Sequence, residues 1–117
     1  MLCVTPEGLQ QISEAALRDF DRRLVDASES CLQFNLAAST LEAELKQSYR
    51  FMASMARQLE DLDQICRLWD AFVVMCDKYA EKLRSLDQAH PFCGADQFYD
   101  RVLDLRNKSQ RLADLHR

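Results

Sequence analysis

Apolar residues recur along this chain at alternating spacings of three and four. With Leu17 taken as heptad position a, the a positions are Leu17, Leu24, Cys31, Ala38, Leu45, Met52, Leu59, Cys66, Val73 and Ala80. The d positions are Phe20, Ala27, Phe34, Leu41, Ser48, Met55, Leu62, Trp69, Cys76 and Leu83. Nineteen of these twenty are apolar, Ser48 being the exception. A stripe held at this spacing over ten repeats predicts helices packed side by side along their length.

The stripe changes width. The g positions of the first half are Arg23, Ser30, Ala37 and Glu44, whereas those of the second half are Phe51, Gln58, Ile65, Phe72, Tyr79 and Leu86. Leu68, Val74 and Met75 broaden the second half further. A two-stranded seam needs only a and d, so the wide face from residue 51 onward predicts neighbours on two sides.

Helix ends are marked at both termini of the chain. Thr5 is suited to cap, Pro6 to the first helical position and Glu7 to the positive end of the dipole. Pro91 and Gly94 break the chain again, Asp96 is placed to cap, and Phe98, Val102, Leu105, Ser109 and Leu112 start a new periodic run. The 82 residues between Gly8 and Pro91 contain neither glycine nor proline. One helix of that length would measure about 123 Å. A compact chain of this size has a radius of gyration of only about 13 Å.

A fold-back at Ala37-Ala38-Ser39-Thr40 is therefore expected. Ser39 and Glu42 have capping-box spacing, and no charge occurs from Ser30 to Leu41. Residues Asp26 to Ser30 are a second place for it. The heptad phase, which continues through both, argues instead for an unbroken helix. The expected fold is all-α, an elongated helical bundle or helical hairpin with coiled-coil packing. It has three helices near 6–37, 39–89 and 95–116 in a single domain spanning 1–117. The middle helix would be about 75 Å long. Arg117 follows Leu112 and Leu115 without a stop signal, as in a helix that continues into a longer chain.

Composition narrows the function. Two glycines and two prolines stand where average usage gives about eight and six. Sandwiches, small barrels, Rossmann domains and phosphate-cradling loops depend on those residues and are disfavoured. The formal charge of −4 argues against nucleic acid or an anionic membrane surface as main partner. No run of 18 apolar residues exists to span a membrane. Five irregularly spaced cysteines, with no export signal at Met1-Leu2-Cys3-Val4, read as reduced thiols of a cytoplasmic or nuclear protein.

Chemistry-bearing motifs are incomplete. His90-Pro91-Phe92-Cys93 offers half of a zinc or Cys–His site, but no CxxC accompanies it and the other histidine is His116. Asp87-Gln88-Ala89-His90 is one half of a carboxylate-x-x-His di-iron unit whose second half does not occur. The last segment carries Arg101, Arg106, Lys108, Arg111 and Arg117, interleaved with Asp100, Asp104 and Asp114, as on a solvated helix face. No catalytic, cofactor-binding or metal-ligating residue is assigned, and no cofactor is expected. The expected function is non-enzymatic: protein–protein interaction, as a small helical subunit or adaptor that binds homo- or hetero-oligomeric partners by helix-on-helix burial. The residues expected to carry it are Phe51, Met52, Met55, Ile65, Trp69, Phe72 and Tyr79. A cofactor- or small-molecule-binding bundle of the enzyme class, or nucleic-acid binding through the last helix, are the alternatives.

Overall fold

A computed structural model describes residues 5–25, 31–89, 91 and 94–117, with the side chains of Val25 and Cys31 left aside. It contains four helices: α1 (Pro6–Val25), α2 (Cys31–Gln58), α3 (Leu62–Ala89) and α4 (Ala95–Leu115). No strand occurs among the described residues. The all-α bundle is as expected, but the number of helices is four and not three.

The expected break at residues 37–40 does not occur. Ala37 and Ala38 are 2% and 0% exposed, where small side chains let neighbouring helices approach. Thr40 donates its hydroxyl to the Leu36 carbonyl at 2.9 Å, so it bonds along the helix and does not cap a new one. α1 is described up to Val25 and α2 from Cys31, on either side of the second expected site. Residues 26–30 themselves lie outside the described residues.

A further break, not foreseen, falls at residues 59–61. It uses acidic residues where glycine or proline is the commoner signal. Leu59 N–H donates back to the Ala56 carbonyl at 3.3 Å and tightens the end of α2. The Asp61 carboxylate then accepts the N–H groups of Asp63 at 2.9 Å and Gln64 at 3.4 Å, capping α3. The expected helix 39–89 of about 75 Å is thus replaced by two helices of 28 residues, each about 42 Å long. The continuous heptad phase reports that each helix carries an a/d stripe, not that one helix carries them all.

The first end signal is realised as expected, and the second with a different capping residue. Gly8 N–H donates to Thr5 Oγ1 at 3.0 Å, the cap expected for α1. At α4 the capping position belongs to Gly94, whose φ of 90° suits a residue without Cβ, while Asp96 sits in the first turn.

Cross-helix contacts fix the topology. Cys66 meets Ala113, Asp70 meets Arg117 and Asp77 meets Arg106, so α3 and α4 run antiparallel. Glu42 and Tyr49 of α2 meet Arg101 and Lys108 of α4, which makes that pair parallel. Asp21 pairs with Lys82, and the start of α1 lies by Ala71 and Val74, so α1 runs parallel to α3. Among the described residues α1 and α4 do not approach each other; α2 and α3 are each in contact with all three other helices, α3 far more extensively, chiefly through α4. That accounts for the wide face: twelve residues of α3, from Ile65 to Leu86, are buried. The Cα envelope measures 48 × 26 × 17 Å, elongated as expected but short of the middle helix of about 75 Å.

Candidate functional site

Six of the seven expected interaction residues lie inside the chain's own core. Met52, Phe72 and Tyr79 are fully buried, and Ile65, Trp69 and Met55 nearly so. Phe51 alone reaches the surface, 45% exposed. The physical reason is the break at 59–61. It lets α3 turn back along α2, and α4 and α1 pack on its other sides, α4 most extensively, so the wide stripe is covered by this chain's own helices.

Trp69 and Phe72 are joined in the core by Tyr49, which is part-buried. Tyr49 stands 5.5 Å from Trp69 and 5.9 Å from Phe72, and Trp69 meets Phe72 edge-on at 6.2 Å. These tilted and T-shaped contacts suit ring quadrupoles. Lys108 Nζ closes the cluster 5.1 Å above the Tyr49 ring. The arrangement is packing, with Trp69 and Phe72 buried and Tyr49 part-buried.

The buried titratable groups are held neutral. Burial, and secondarily the Asp77 charge, pushes the Cys76 thiol up to about 12. A thiol so placed is not a nucleophile at neutral pH. Cys66 is also buried and free, its Sγ donating to the Ala113 carbonyl at 3.4 Å. Burial first and the Glu44 carboxylate second push the Tyr79 phenol well above its usual range. The Ser13 hydroxyl stands near that phenol, yet neither group has a hydrogen-bond partner of acceptable geometry.

The half-sites noted in the sequence gain no partners. Among the described residues no three His, Cys, Asp or Glu side chains gather as metal ligands. His90, Phe92 and Cys93 lie outside the described residues. Two arginines of the last helix and one just past it pair with carboxylates at the surface: Arg101 to Glu42 at 2.6 Å, Arg106 to Asp77 at 3.0 Å and Arg117 to Asp70 at 2.5 Å. Much of the positive charge on α4 is therefore met within the chain. No described helix is long and apolar enough to cross a membrane.

Surface apolar groups are concentrated elsewhere. Ile12, Leu32, Leu36, Phe51, Leu62, Val74 and Leu115 are large and exposed. Two of them, Ile12 and Phe51, line one groove of 480 Å³ between α1 and α2. Ala15 and Ala16 leave its floor low, and Asp19, Glu44, Gln47 and Ser48 supply polar groups. Arg23 and Arg22 bind Asp19 and hold its carboxyl below the usual range, the hydrogen bond from Arg23 contributing most. Glu44 makes no hydrogen bond or ion pair among the described residues. The sequence signal for this groove was Ile12, an apolar residue at a c position, outside the a/d stripe.

Comparison with protein-family models, with curated proteins and with solved structures finds no match. The groove and the fold stand as the basis for a functional reading.

Proposed function

We propose that this protein is a non-enzymatic interaction module, a small helical subunit or adaptor that joins a larger assembly by burying a partner's helix. The observation that supports it is the groove between α1 and α2, where Ile12 and Phe51 stand 46% and 45% exposed beside Glu44, a carboxylate without an ion pair among the described residues. Large apolar side chains flanking a trough of small ones are the form in which helix-binding grooves occur. Burial of such area stabilises a complex at about 25 cal/mol per Å², before the costs of association. The neutral, buried state of Cys76 and Tyr79 leaves these groups out of acid–base or nucleophilic work at ordinary pH, in keeping with a binding role.

The test is site-specific photo-crosslinking in the cell of origin. A photoreactive residue at position 51 is expected to give one discrete adduct. The same residue at Arg67, exposed on α3, is expected to give none. Equal, diffuse labelling at both positions, or none at either, would sink the reading.

A further inference from the structure

α2 differs from the other helices in the charge of its surface. Its exposed charged residues are Lys46, Arg50 and Arg57, and none is acidic. Each of the other three helices exposes both signs, in a chain whose formal charge is −4. The two carboxylates of α2, Glu42 and Glu44, are part-buried. Glu42 holds Arg101 at 2.6 Å and reaches Lys46 only at 3.8 Å. Arg50 and Arg57 make no ion pair among the described residues. The helix dipole favours cations in the last turn, which accounts for Arg57 alone. Lys46 and Arg50 stand about two turns or more before the end of α2 at Gln58.

These cations border the groove between α1 and α2. Lys46 precedes Gln47 and Arg50 precedes Phe51, and Gln47 and Phe51 line the groove. Neighbours in sequence stand about 100° apart around a helix, so Lys46 and Arg50 lie along the α2 rim. The carboxylates inside the groove do not cancel them. Asp19 is bound by Arg22 and Arg23. The Arg23 guanidinium is held above its usual range by the Asp19 hydrogen bond first and also, without an ion pair, by the Glu44 charge. The groove's own acids are thus answered by arginines of α1, and the charge left unanswered is the positive rim of α2.

We propose that the occupant of this groove is an acidic amphipathic helix of a partner protein. This deepens the helix-burial reading and rests on it. The apolar face of the occupant meets Ile12 and Phe51 over the small side chains of Ala15 and Ala16. Its acidic flank lies over Lys46, Arg50 and Arg57, whose separations of four and seven residues set the spacing of the carboxylates that match them. A nucleic-acid backbone would use the same cations but leave Ile12 and Phe51 unburied, and would meet the repulsion of a chain at −4. Complementary charge of this kind selects among partners more than it adds to affinity, so the test is a comparison.

The experiment uses the full chain and two labelled helical peptides of about 20 residues. Both carry the same leucine face, one with glutamates along its flank and the other with lysines at those positions. At low salt the acidic peptide is expected to bind saturably and at least about tenfold more tightly than the basic one, and the gap closes as salt rises. Lys46→Glu combined with Arg50→Glu changes exposed positions only and should reverse the preference. Phe51→Ala should weaken both peptides alike. Equal affinity of the two peptides, lost in Phe51→Ala, overturns the acidic assignment and leaves the broader helix-binding reading standing. Binding of the acidic peptide that ignores Phe51→Ala and is matched by an oligothymidylate makes the rim a general anion site and overturns the proposal. A parent chain that is dimeric by light scattering, and monomeric as Phe51→Ala, makes a second copy the occupant and overturns it too. So does the absence of saturable binding by the acidic peptide below about 100 μM. The crosslinking result at position 51 tests the broader reading separately.

Discussion

The Asp61 carboxylate accepts the backbone N–H of Asp63 at 2.9 Å, and this contact starts a new helix where the apolar pattern runs on without interruption. Asp61→Ala is expected to cost about 1 kcal/mol, the usual loss of a side-chain cap. The melting temperature should fall by about 4 °C. Asp61→Asn keeps an acceptor at the same place and should melt close to the parent. Thermal unfolding followed by circular dichroism reads both. Equal melting of the alanine variant and the parent would remove the cap from the account of this turn.

Phe51 and Trp69 separate surface from core. Trp69→Asp places an unpaired charge among Tyr49, Phe72 and their neighbours and is expected to unfold the chain. Phe51→Asp changes an exposed position and should stay within about 0.5 kcal/mol of the parent. Denaturant titration measures the difference. A folded Trp69→Asp variant would contradict the packing described for α2 and α3.

Alkaline pH should destabilise the protein through Cys76 and Tyr79. Both have raised values in the folded state. Their stabilising contribution is therefore complete below the unfolded values of about 8.5 and 10, and is lost as pH rises toward the folded ones. Each group adds at most about 1.4 kcal/mol per pH unit in that window. Tyr79→Phe should flatten the slope above about pH 10 and, by deleting a hydroxyl without a partner, should not lower stability at neutral pH. Stability measured at neutral and alkaline pH checks this, and an unchanged slope in the variant would count against the buried phenol.

Two arginines of α4 and its end should differ. Arg101 faces Glu42, whose side chain is only 12% exposed, and its guanidinium lies 4.9 Å above the Phe98 ring. Arg101→Ala leaves that carboxylate with the longer 3.8 Å contact to Lys46 and is expected to cost about 1 kcal/mol. Arg117 pairs with Asp70 and Asp114 in open solvent, so Arg117→Ala should change stability by less than about 0.5 kcal/mol. Chemical denaturation at low salt distinguishes the two, and equal losses would show that exposure does not govern these pairs.

Much of the fold is legible in the sequence. The caps at Thr5 and the restart near Gly94 are local events, written in a few adjacent residues, and the helix from 95 onward lies where it was expected. The a/d stripe held in large part: Phe20, Leu45, Trp69 and Cys76 are buried as the period requires, whereas the d position Leu62, beside the break, is exposed. The turn at 59–61 was missed because it carries no glycine or proline. Its signal was Asp61 followed three places later by Gln64, inside an acidic cluster that favours a helix start. The interaction residues were the least legible. Whether Met52 or Phe72 meets a partner or its own chain depends on where the chain turns, and periodicity is the same in both cases. Ile12 went unmarked because its importance lies in facing Phe51 across a helix pair.

The central place of α3 bears on synthesis. A ribosome releases α1 and α2 first, when Leu9, Phe20, Phe34 and Leu45 have each other but not the helix that covers their far side. At about 5–20 residues per second the rest of the chain follows several seconds later. Throughout that interval the nascent chain shows the apolar face that the finished protein hides. The short acidic link at 59–61 then lets α3 double back onto that face as soon as it clears the tunnel.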